Sequence, residues 1–245
     1  RLTAISWIWE LIHHPDSGGD KLLPFLADVL KAILNNISDG EGDIRKISER
    51  SNNDLLFLVR DTKHDFRLDI LIDALVTKLS TKDDVPTKVA VLKWINMLLE
   101  KRRRDMDTYI QGLMNVLMKL LSDKSDVVVL LTVQVLSRIC LSDVFNKGIL
   151  SKDKLRDEEQ FGMVIKQILT LFKQDRRLLE SRGSLIVRRF CALLNAKSVY
   201  LIMADIISEY DVSDDSFTLE FVATMVQTLN LILLTAPELN NLRKL

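Results

Sequence analysis

The chain has 245 residues, and its 34 Lys+Arg balance 34 Asp+Glu to a formal net charge of zero, which disfavours a sequence-independent nucleic-acid binder that must displace counterions. With 47% hydrophobic and 28% charged residues the composition is that of an ordinary soluble protein with a sizeable core. Only 8 Gly and 4 Pro leave few turn residues, which excludes a hairpin-rich all-β fold and favours long helices.

Taken in chain order, Arg1 opens inside a helical pattern with no charged-then-apolar-then-small leader, as expected of an interior fragment of a cytosolic chain. Ser17-Gly18-Gly19 and Asp39-Gly40-Glu41-Gly42 break the first helices apart. Leu68, Leu71, Ile72, Leu75 and Leu79 then follow the i, i+3, i+4, i+7 rule of a one-sided helix. Asp84 before Val85-Pro86 is an N-cap with proline in the first turn, where its missing N–H costs nothing, and Asp126 and Ser216 are expected to cap in the same way. Val85 to Leu99 is apolar over most of its circumference, which marks a helix buried between neighbours. Met106 to Leu120 returns to a single stripe, and Val127 to Cys140 is again apolar all round. Its Val127-Val128-Val129 run favours a strand by propensity, but its length and place in the chain argue helix. Ser142 to Gln160 reads as a polar loop, followed by one-sided helices on Phe161, Val164, Ile165, Ile168 and Phe172 and on Val199, Ile202, Met203 and Ile206. Gly112 and Gly183 fall inside helices, where close helix approach would justify them. The uncharged stretch Phe221 to Pro237, interrupted by polar residues, falls short of the ~20 apolar residues of a membrane span.

Ile37-Ser38, Leu79-Ser80 and Leu121-Ser122 each close a first helix and recur 42 residues apart. A fourth match at Leu171 comes 50 residues later, its extra length falling in 142–160, and a fifth at Ile207 comes after 36. About eleven helices in five and a half pairs, repeating every ~40 to 47 residues, are the signature of an all-α HEAT/armadillo-type solenoid. The whole of 1–245 is expected to be one such fragment, each layer stabilised by the next.

Site chemistry is sparse. His13, His14 and His64 lack the spacing of a zinc site, and no phosphate loop, GxSxG elbow or CxxC occurs, so neither a cofactor nor an enzyme is expected. Asp211 to Ser216 resembles the start of a calcium loop but has Ser216 at the sixth position and Val222 at the twelfth, and reads as an acidic interhelix turn. Cys140 and Cys191 lie in apolar runs and read as reduced core residues. Trp7, Trp9 and Trp94 read as core. The densest basic run, Lys101-Arg102-Arg103-Arg104, either complements a helix C-terminus or offers a ridge to anionic lipid headgroups or an acidic partner, and it is the candidate binding site; Arg176-Arg177 and Arg188-Arg189 are lesser runs.

Several strings go beyond generic periodicity: Arg1 to Ile8 (RLTAISWI), Thr87 to Ile95 (TKVAVLKWI), Leu121 to Asp126 with Val129-Leu130-Leu131, Asp175 to Ser184 (DRRLLESRGS) with Leu193 to Ala196, Met203 to Ile206, and Ala223 to Asn230 with Ile232 to Thr235. They resemble the middle of the vacuole-morphology HEAT scaffold of the phosphatidylinositol 3-phosphate 5-kinase complex. The resemblance implies a non-catalytic, peripheral protein on the cytosolic face of endosomes and vacuoles or lysosomes. It would bring a FYVE-type lipid kinase together with an opposing Sac-family lipid phosphatase and so control phosphatidylinositol 3,5-bisphosphate. It further implies homo-oligomerisation of the full-length protein, with the self-assembly and phosphatase-docking region beyond Leu245. An importin-like or adaptin-like solenoid that reads extended peptides is the alternative, but the Asn/Trp ladder typical of such grooves does not recur here.

Overall fold

The computed structural model describes residues 1–14, 19–81, 83–141, 153–211 and 216–244, with the backbone alone for 153–159. The helices are α1 (Leu2–His13), α2 (Leu26–Asn36), α3 (Gly42–Asp61), α4 (Leu68–Thr81), α5 (Val85–Lys101), α6 (Arg103–Met106), α7 (Ile110–Leu120), α8 (Asp126–Cys140), α9 (Asp153–Gln174), α10 (Arg176–Leu178), α11 (Ser184–Leu193), α12 (Ala196–Ser208), α13 (Ser216–Thr235) and α14 (Asn240–Arg243). A π-helical turn, Leu179–Gly183, joins α10 to α11. Among the described residues no strand occurs, and the fold is an all-α solenoid of helical pairs.

The chain divides into two compact units, Arg1–Val116 and Leu117–Leu245, the division falling inside α7. In the first unit the first helices of successive pairs, α2 and α4, pack on each other, and the second helices α1, α3 and α5 pack in turn. In the second unit α9 packs on α12, and α8, α11 and α13 follow one another in the same manner. First helix on first helix and second on second is the stacking that a fixed repeat length requires, because each pair exposes apolar surface on both sides.

Individual bonds carry the repeat. In the first unit the Trp94 indole N–H donates to Asn52 Oδ1 at 2.9 Å across 42 residues, both groups buried. Thr62 donates to Asp20, also 42 residues away, and Lys78 to Asn35, 43 away. Capping links the layers too. Asp84 accepts from the Thr87 backbone N–H at 2.9 Å and from Ser38, one turn back in the repeat. In the second unit Asp175 caps α10 by accepting from Leu178 N–H at 3.0 Å and takes a 3.4 Å bond from Ser122. The Ile-Ser and Leu-Ser pairs that reveal the period therefore include hydroxyls that reach the capping aspartate of the following layer.

Burial decides the ambiguous segment. Val128, Val129, Thr132, Val133, Val135 and Leu136 are all buried on α8, and packing on both sides overrides the strand preference of the β-branched run. Several expectations need correction. The N-cap of α8 is Ser125, with Asp126 as its first residue, where a carboxylate still favours the positive end of the helix. Gly112 has nothing within 4 Å of where a Cβ would stand, so close approach does not explain it; at Gly183 a Cβ would lie 2.7 Å from Leu179 Cδ1 of its own helix. Of the tryptophans Trp94 alone is core, for Trp7 is 65% exposed and Trp9 is half-buried. Residues 153–160, assigned to the polar loop, open α9, while 142–152 lie outside the described residues. Both cysteines are free and buried, and burial first, then the Glu238 carboxylate, push the Cys191 thiol up to about 11. By length and composition α13, which starts five residues before the uncharged stretch, is apolar enough to cross a membrane; it packs along Thr218, Phe221, Met225, Leu229 and Ile232 as a solenoid helix does.

Candidate interaction surfaces

The basic ridge is built at the C-terminus of α5. Lys101 Nζ donates to the Arg60 carbonyl and, at 2.6 Å, to the Thr62 carbonyl, which close the preceding second helix α3. Arg102 pairs with Asp65 at 2.8 Å, donates to the His64 carbonyl at 3.1 Å and lies over the Phe66 ring at 4.9 Å. Cations placed on free carbonyls offset the negative end of α3, and the same contacts fix the 62–67 loop to the next layer. Arg103 is half-buried, and Arg104, like Lys101, is exposed and has no ion pair among the described residues. Lys101, which stays exposed, and half-buried Arg102 both bond to backbone carbonyls of residues 60–64.

The histidines are similarly engaged: His13 Nε2 lies 3.4 Å from Asp54, and His64 Nε2 lies 3.5 Å from Asp20. Asp54 also accepts from the Trp9 indole at 3.1 Å, and Arg50 covers the Trp9 ring at 4.5 Å. Among the described residues no group of three or more His, Cys, Asp or Glu is placed to hold a metal ion. Of the calcium-like string, residues 212–215 lie outside the described residues.

In the second unit the chemistry concentrates around α10 and the π turn. Arg176 pairs with Glu180 at 2.7 Å and with Glu220 of α13. Arg182 reaches back to the preceding interhelix turn, donating to the Asp123 carbonyl and, at 2.8 Å, to the Lys124 carbonyl, with Asp126 at 2.9 Å. Between α9 and α13 runs a shallow, open cleft lined among others by Phe172, Lys173, Arg176, Phe217 and Glu220. Outside it, exposed apolar side chains gather on α13, with Leu219, Val226, Leu231 and Leu234 all at least 44% exposed. Residue patterns alone did not point to this surface, since an apolar helix in a repeat reads as buried on every side.

Two family models match the chain. One, described as stalled ribosome sensor GCN1-like HEAT repeats, covers residues 16–142, and the other, described as vacuolar protein 14 C-terminal Fig4p binding, covers 176–245. The second match starts at Arg176, so the stretch similar to that model lies inside the chain, whereas the expectation placed the docking region beyond Leu245. Among curated relatives, a protein named VAC14 homolog from Arabidopsis thaliana is 37% identical over 245 residues, 100% of this chain and 30% of the relative. A VAC14 homolog from Schizosaccharomyces pombe is 29% identical over 98% of this chain and 29% of its own length. Vacuole morphology and inheritance protein 14 from Saccharomyces cerevisiae is 23% identical over 99% of this chain and 26% of its own. The chain thus spans under a third of each of these relatives. A designed armadillo repeat protein of known structure aligns with 94% of this chain and 93% of its own at TM-score 0.41 and 14% identity.

Proposed function

The chain belongs to the VAC14 family of HEAT-repeat proteins, and from that premise we propose that it is a segment of a non-catalytic scaffold that assembles a phosphatidylinositol 3-phosphate 5-kinase with an opposing Sac-type lipid phosphatase. The observation that carries the reading is the match of residues 176–245 to a Fig4p-binding region, the stretch in which α10, α11 and α13 present exposed arginine and apolar side chains. The physical mechanism is effective concentration. Two enzymes of opposite action held by one scaffold meet as an intramolecular event, at local concentrations up to roughly millimolar, so synthesis and removal of phosphatidylinositol 3,5-bisphosphate stay coupled at one membrane patch.

In this reading the full-length protein self-associates and sits peripherally on the cytosolic face of endosomes and vacuoles. Membrane contact is assigned to the complex, because Lys101 and Arg102 are occupied by carbonyls and an aspartate of the neighbouring loop. The importin-like alternative has less support: an Asn/Trp groove needs those side chains exposed, whereas Asn52 and Trp94 are buried and bonded to each other. Affinity capture of the full-length protein co-expressed with both enzymes tests the proposal. Recovery of kinase and phosphatase in one complex is the expected result, and recovery of neither overturns it.

A further inference from the structure

Resting on the phosphatase reading, we propose that the partner docks on a single stripe, Arg177, Ser181, Leu185, Arg188 and Ala192, and that the docking element is an amphipathic helix with acidic residues about three turns apart. All five side chains are exposed, while Leu178, Leu179, Ile186, Val187, Phe190 and Cys191 on the opposite side are buried in the stack. The stripe is continuous because of the π turn at Leu179–Gly183. In an uninterrupted α-helix, eight residues carry Leu185 roughly 80° round from Arg177; the wider turn brings it back into line. Turns of this kind are rare and recur at functional sites.

The charges on the stripe are unspent. Arg176 is neutralised by Glu180 and Glu220, and Arg182 by Asp126 and two carbonyls. Arg177 and Arg188 have no ion pair among the described residues, and they flank Leu185, which is 38% exposed. The exposed surface of α3 differs in kind, for Arg45, Lys46 and Arg50 are interleaved there with Glu49. At a rise of 1.5 Å per residue the two arginines stand roughly 16 Å apart along the axis, about three turns of a helix laid alongside. Small side chains at Ser181 and Ala192 leave room for a helix axis to approach within the usual 8–10 Å. A partner helix with Asp or Glu at both ends and Leu or Ile between them matches this pattern of charge and shape. Arginine at such a site can take a carboxylate in a two-pronged contact.

The test compares the full-length wild-type protein with R177E/R188E and, separately, Leu185→Ser, measuring phosphatase affinity over a salt series with kinase capture and helical content as controls. Expected is a loss of at least roughly tenfold in phosphatase affinity for the charge reversal, a smaller loss for Leu185→Ser, a wild-type affinity that falls with salt, and unchanged kinase capture. If the wild type binds phosphatase and both variants bind equally well, the stripe is wrong while the scaffold reading stands. If the wild-type full-length protein does not bind phosphatase at all, the reading beneath the proposal fails first. Should R177E/R188E lose helical content, Leu185→Ser decides, and undiminished binding by it overturns the stripe.

Discussion

Asn52 and Trp94 occupy equivalent places in adjoining layers, and each satisfies a buried polar group of the other. Trp94→Phe keeps most of the packed ring but removes the N–H, leaving the Asn52 carbonyl oxygen buried without that donor, a cost of about 1–3 kcal/mol. Trp94→Ala adds a cavity and should cost about 3–5 kcal/mol. Combining Trp94→Phe with Asn52→Leu should recover part of the first loss, since both partners are then apolar; urea midpoints of the four proteins measure this. Asp84 makes a second claim at this scale. Burial raises its pKa, but hydrogen bonds from Thr87 and Ser38 outweigh burial and hold the carboxyl below its ordinary 3.8. A depressed folded-state pKa means the cap's contribution is complete above the unfolded value near 3.9 and is lost as pH falls through the folded one. Asp84→Ala should therefore cost about 1 kcal/mol at neutral pH, and its difference from wild type should shrink in acid, as unfolding curves across pH will show. The cap and the proline behind it were readable from residue types alone. Asn52 was not, because a polar residue inside a helix carries no sign of the indole that it meets a repeat away.

Arg182 and the π turn belong together at the level of the element. The fourth match follows the third after 50 residues where the earlier ones are 42 apart, and beyond it Arg182, within the widened turn, holds the 121–126 turn of the layer before it. Arg182→Ala should destabilise the protein by about 1–3 kcal/mol, as expected for charge-assisted bonds on a side chain only 19% exposed. Arg182→Lys should recover little of it, since one ammonium cannot span two carbonyls and a carboxylate as the planar fork does; denaturant midpoints again report both. Periodicity exposed the extra length, which falls before Leu171, but not the π turn that follows it, for that turn has no apolar signature and Gly183 reads like any other helix glycine. The β-branched run of α8 shows the converse, where repeat position forecast the helix although local propensity pointed elsewhere.

For the molecule as a whole, contacts between neighbouring layers make stability a local property. Protection of backbone amides in Trp94→Ala should drop across α3, α4 and α5 and stay near wild type in α11 to α13, and hydrogen exchange with mass spectrometry distinguishes this from a uniform loss. The fold class was legible because three matching Ile/Leu-Ser pairs stand 42 residues apart, and the family was legible because long strings such as TKVAVLKWI exceed what an apolar pattern demands. The binding surface was less legible. Lys101 to Arg104, the most conspicuous charges, turn out to include two that are tied to backbone, whereas Arg177 and Arg188 belong to the lesser basic runs and are set apart from their neighbours only by what surrounds them.

All three tryptophans, Trp7, Trp9 and Trp94, fall within the unit ending at Val116, one exposed, one half-buried beneath Arg50 and one enclosed. Intrinsic indole fluorescence is thus blind to residues 117–245, whose aromatic signal comes from tyrosine and phenylalanine. An emission trace and an ellipticity trace recorded on the same sample will separate whenever the two halves melt at different temperatures, giving a built-in optical marker for one half without any label.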